Sequence, residues 1–79
     1  MEVKQIIKFF EKNDITYDDI LEVCAILIEQ FKDNLKPEAV ENLKVLVELI
    51  LEKQKEGRSI YPIKQEILKF ILIIIKKYN

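Results

Sequence analysis

The chain has 79 residues, 49% of them hydrophobic and 34% charged, with a formal net charge of −1. This length allows one domain near the lower limit for a self-sufficient core, and the hydrophobic content excludes a disordered tail. With no histidine, one cysteine and one glycine, the composition excludes an imidazole base, a zinc site, an internal disulfide and a glycine-rich phosphate loop.

Turn chemistry for hairpins is scarce, and the apolar periodicity is helical. It predicts an all-α antiparallel four-helix bundle, a single domain over 1–79, with helices near 3–12, 17–32, 37–55 and 62–78. No signal segment is expected, because mixed charged and apolar residues follow Met1 directly.

In the first helix Val3, Ile6, Ile7 and Phe10 form the inward stripe, with Phe9 beside it. Asn13 is expected to end it in a left-handed conformation. The second helix opens at "TYDD", with Thr16 as cap and Asp19 completing a capping box. Ile20, Cys24, Leu27 and Phe31 face inward, widened by Leu21 and Ile28. The third helix opens at Pro37, whose missing N–H costs nothing in a first turn. Val40, Leu43, Val47 and Ile50 form its stripe, flanked by Ala39, Leu46 and Leu51. Gly57 is the expected left-handed stop. The fourth helix opens around Pro62 and runs into "KFILIIIKKYN".

Phe70 to Ile75 is apolar throughout. A membrane span needs about 20 such residues, and Lys69 and Lys76 bracket only six. A lone strand would have no pairing partner. The run therefore reads as helix, and helix 4 as the most buried element of the bundle. Its apolar arc is nevertheless wider than the roughly 100° stripe of a one-sided core helix. Leu72 and Ile73 fall toward the polar side and are the hardest to bury. Either the other three helices enclose this helix, or its outer edge meets another molecule.

Charge is unevenly spread. Residues 14–52 hold ten acids against three lysines, and residues 53–79 hold seven bases against two acids. That pattern suits solvated faces, self-complementary packing or an oriented approach to a partner. Asp14, Asp18, Asp19 and Glu22 lack the glycine and alternating spacing of a calcium loop, and helix capping accounts for them better. Basic residues of the last third share no helix face, which argues against nucleic acid. Cys24 lies on an apolar stripe and reads as core. These readings leave no catalytic, cofactor-binding or metal-binding residue, so the chain is expected not to be an enzyme.

One resemblance is carried by "PEAVENLKVLVELI", the connecting "KQKEGRSIYP" and "IKQEILKFILIIIKKY". These segments resemble the second half of immunity proteins against pediocin-like (class IIa) bacteriocins, over roughly residues 20–79. Pro37, Glu38 and Val40 match the family's opening of its third helix, and Pro62 and Leu68 that of its fourth. The resemblance implies an antiparallel four-helix bundle in the cytoplasm. Its partner would be a bacteriocin-bound membrane transporter, occluded or locked from the cytosolic side. Family specificity is attributed to the C-terminal half and a tail beyond helix 4. Here the sequence closes at Asn79, so the apolar ending would stand in for that tail. The implied partner-binding residues are Leu72, Ile73 and Tyr78, with Lys69, Lys76 and Lys77 in peripheral contact with anionic lipid headgroups. The competing expectation is a self-associating regulatory or structural module of the phage or plasmid accessory kind. It would form a homodimer and bind a soluble protein partner.

Overall fold

The computed structural model describes residues 1–79. It contains four helices and no strand: α1 (Val3–Phe10), α2 (Tyr17–Asp33), α3 (Pro37–Lys55) and α4 (Tyr61–Tyr78).

Local chemistry sets the helix ends. Thr16 Oγ1 accepts from the Asp19 N–H at 3.2 Å, and Asp19 Oδ2 accepts from the Thr16 N–H at 3.0 Å, closing the expected capping box. Pro37 and Pro62 sit in the first turns of α3 and α4, where no intrahelical donor is lost. Helix α1 stops at Phe10, two residues short of expectation. Asn13 does not take the expected left-handed conformation, since only Leu35 and Gly57 have positive φ. Instead the carbonyls of Lys12 and Asn13 accept hydrogen bonds from Lys64 Nζ and the Tyr61 hydroxyl on α4. These bonds direct the chain out of α1.

Two helices end in the same motif with unequal residues. After α3, Gly57 takes φ 74°, the Arg58 N–H bonds the Lys53 carbonyl and the Gly57 N–H bonds that of Gln54. After α2, Leu35 takes φ 58°, the Lys36 N–H bonds the Phe31 carbonyl and the Leu35 N–H bonds that of Lys32. Both are Schellman closures, in which glycine is the favoured left-handed residue. A leucine there carries the Cβ clash of left-handed backbone, roughly 1–2 kcal/mol. Leu35→Gly is therefore expected to raise stability by about 1 kcal/mol. Gly57→Ala should lower it by a similar amount, through backbone alone, since nothing lies within 4 Å of the added Cβ. Urea midpoints of the two variants would move in opposite directions.

One cluster of 18 buried residues forms the core, all of them apolar. Helix α2 packs along α3, α3 against α4, and α4 against α1. Burial of Ile20, Cys24, Leu27 and Phe31 follows the expected stripe of α2, with Val23 added. Ile15 and Ile60 enter the core from the connectors. Two expected inward residues, Val3 and Leu51, are exposed. Val3 lies at the first position of a short helix, and Leu51 lies past the face that α3 turns to its neighbours.

Hydrogen bonds tie the two ends of the molecule. At one end, besides the bonds from α4 to the Lys12 and Asn13 carbonyls, the Tyr17 hydroxyl donates to the Arg58 carbonyl at 2.8 Å. At the other, Asn42 Nδ2 donates to the Tyr78 hydroxyl at 3.0 Å.

Helix α4 is not the most buried element. It buries Ile67, Ile71, Ile74 and Ile75, whereas α2 and α3 each bury five residues. Helix α4 packs against α3 and α1, and its outer side stays open. No helix is long and apolar enough to cross a membrane.

Candidate docking face on α3 and α4

The run Phe70–Ile75 divides in two. Ile71, Ile74 and Ile75 are core, while Phe70 is 42% and Ile73 65% exposed. The division follows from helix geometry: at about 100° per residue, six consecutive side chains point all round the helix. A helix with neighbours on two sides buries about half of them.

Beside Phe70 lies a groove of about 150 Å³ between α3 and α4. Leu46, Leu49 and Ile50 line it from α3, and Ile63, Ile67 and Phe70 from α4, with Lys53 and Glu66 at its edges. Leu49 is 45% exposed, and Val45, one turn before it, 52%. Val45, Leu49, Phe70 and Ile73 thus form an apolar surface across two helices. Contiguous exposed apolar surface rimmed by charge is the usual mark of an interaction site.

The rims differ in sign. On α3 the exposed acids Glu41, Glu48 and Glu52 border Val45 and Leu49. On α4 the exposed bases Lys69, Lys76 and Lys77 border Ile73. Only two ion pairs form in the chain, Lys44–Glu41 at 3.9 Å and Arg58–Glu56 at 3.1 Å. The three lysines of the α4 rim have no carboxylate partner.

Four of the six expected partner-binding residues therefore share one exposed face: Lys69, Ile73, Lys76 and Lys77. Leu72 and Tyr78 do not join them. Leu72 is half-buried and continues the Lys64, Leu68 row, the side of α4 whose Lys64 Nζ reaches the Lys12 carbonyl in the connector after α1. Tyr78 is half-buried against α3, accepting from Asn42 and donating to Glu38 Oε2 at 3.4 Å. The sequence reading missed Val45, Leu49 and Phe70. The signal for the first two was present: they are an i, i+4 apolar pair lying outside the α3 stripe.

Other features make weaker sites. A wider cleft between α2 and α3, about 620 Å³, is lined mainly by polar residues, with Ile28, Leu35 and Val40 the hydrophobic ones. No three acidic or thiol side chains converge on a point, and Asp19 is engaged in its cap. Cys24 is fully buried, and burial pushes its thiol up to about 11. That direction opposes the depressed pKa of a reactive nucleophile.

Set against family models, curated proteins and solved structures, the chain finds no match. The α3/α4 face rests on its own geometry.

Proposed function

We propose that the chain is a non-enzymatic binding protein of the bacteriocin-immunity kind, built as an antiparallel four-helix bundle and docking through the outer side of α4. The observation that carries this reading is Ile73, 65% exposed in the middle of a core-forming run and bordered by three unpaired lysines. An isolated surface isoleucine would be ordinary. One continuous with Phe70, Leu49 and Val45 is a contact surface.

The antiparallel arrangement is supported by the end-to-end hydrogen bonds. Tyr17 at the start of α2 meets Arg58 just beyond α3, and Tyr78 at the end of α4 meets Glu38 in the first turn of α3. The target is a bacteriocin-bound membrane transporter, approached from the cytosol. Lys69, Lys76 and Lys77 contribute attraction to an anionic leaflet, about 1 kcal/mol per residue near the surface. The apolar face then seats on the complex and locks it.

The test is protection. A strain sensitive to pediocin-like bacteriocins, expressing this chain, is challenged with a panel of them. A rise in inhibitory concentration of about ten-fold or more against one member, equivalent to roughly 1.4 kcal/mol if binding alone is responsible, is expected, and Ile73→Glu should abolish it. No rise against any member removes the immunity reading.

Opposite charge on the two rims favours a second reading, self-association.

A further inference from the structure

We propose that in the free protein the α3/α4 face is closed by a second copy of the chain, the two related by a two-fold axis parallel to the groove. The inference rests on the reading of this face as the working surface, and on the antiparallel course of α3 and α4.

Charge and register select this occupant. A two-fold axis along the groove lays α3 of one copy over α4 of the other at the same height. A two-fold axis across the groove lays α3 on α3 and sets acid against acid. Heights are fixed by the contacts within one chain. Tyr78 is level with Glu38 and Asn42, and the groove then runs through Leu46 and Phe70 to Lys53 and Ile63. On that register Val45 and Leu49 of one copy meet Phe70 and Ile73 of the other. Glu48 comes to the level of Lys69, and Glu41 to that of Lys76. Lys53 and Glu66 break the rule of acidic α3 and basic α4 at the groove edge. They are of opposite sign to one another, so they too approach across the axis. Every such contact occurs twice, as an isologous interface requires.

The size of the face sets the class of interface. Helices of 19 and 18 residues present a surface roughly 27 Å long and two helices, about 18 Å, wide. Two such faces bury about 1,000 Å² in total, the lower end of specific interfaces. Interfaces of this size are typically weak and reversible. Target binding and self-pairing exclude one another, because both need Ile73.

Sedimentation equilibrium of the purified full chain tests this at physiological salt. A monomer–dimer equilibrium is expected. Ile73→Glu, with its helicity checked by circular dichroism, should weaken it at least ten-fold. The reversals Glu41→Lys with Glu48→Lys, and Lys69→Glu with Lys76→Glu, should each make the chain monomeric. An equimolar mixture of the two reversed chains should form a heterodimer that Ile73→Glu in both chains abolishes. A wild-type chain monomeric at all concentrations overturns the proposal and leaves the face to another occupant. A dimer indifferent to these substitutions, or reversed chains that do not pair, also overturns it. Protection by a chain that stays monomeric removes only the pairing. A dimer that never protects cells removes only the immunity function.

Discussion

Ile71→Ala is expected to destabilise the protein by about 2–5 kcal/mol, the range for emptying a buried isoleucine site. Ile73→Ala, two residues along the same run, should change stability by no more than about 0.5 kcal/mol when the chains are compared dilute enough to be monomeric. Ile71 is completely buried and Ile73 is 65% exposed. The first substitution leaves a cavity among side chains from other helices. The second removes atoms that already face water. Native domains hold only about 5–15 kcal/mol in total, and one of this length belongs near the bottom of that range. Ile71→Ala should therefore leave a large unfolded fraction under mild urea, while Ile73→Ala keeps the wild-type midpoint. Equal losses at the two positions would place Ile73 in the core and take the docking face away.

The second large effect is alkaline. Burial raises the Cys24 thiol from its ordinary 9.0 to about 11, because a thiolate among Ile20, Leu27 and other apolar side chains has no solvation. In the unfolded chain the thiol ionises near its ordinary value. Between the two values the unfolded state has lost a proton that the folded state keeps, so stability falls as pH rises. The contribution is fully present below pH 9 and lost by about pH 11. Two pH units correspond to roughly 2–3 kcal/mol. The informative quantity is the difference from Cys24→Ala, in which every alkaline contribution other than the thiol's cancels. Urea denaturation at several values between pH 8 and 11 should show a steeper fall for the wild-type chain than for the variant. Parallel curves would mean that Cys24 reaches solvent in the folded state.

Helix boundaries were legible wherever a single residue has one physical role. Pro37, Pro62, Gly57 and the Thr16–Asp19 pair each do the job their chemistry suits. Leu35 was not legible, because nothing about leucine signals a left-handed turn. The closing bonds from Lys36 and Leu35 back into α2 impose it. Asn13 is the converse case: its side chain suits a left-handed turn, but the bonds from Tyr61 and Lys64 direct the chain elsewhere.

The stripes of α2 and α3 were legible because each has a dominant apolar side. In α4 nearly every side is apolar, so periodicity could not tell which isoleucines meet α3, which α1 and which water. That choice belongs to packing between helices far apart in sequence. For the same reason the sequence marks Ile73 as hard to bury but groups with it Leu72, which is half-buried, and Tyr78, which bonds to α3. The partnership of Val45 and Leu49 with α4 exists only once the two helices are side by side.

The pairing of α1 with α4 joins the two ends of the sequence. Helix α2 and helix α3 lie next to one another along the chain and can meet through a short connector, so the loop to be closed is small. Helix α1, with only eight residues, is too short to hold its shape in water without a partner, and that partner follows α2 and α3 along the chain. A nascent chain therefore carries Ile6 and Phe10 without the cover of α4 until α2 and α3 have been made. The order of manufacture thus runs against the order of assembly: α1 is made before the other three helices and is among the last of the four to settle.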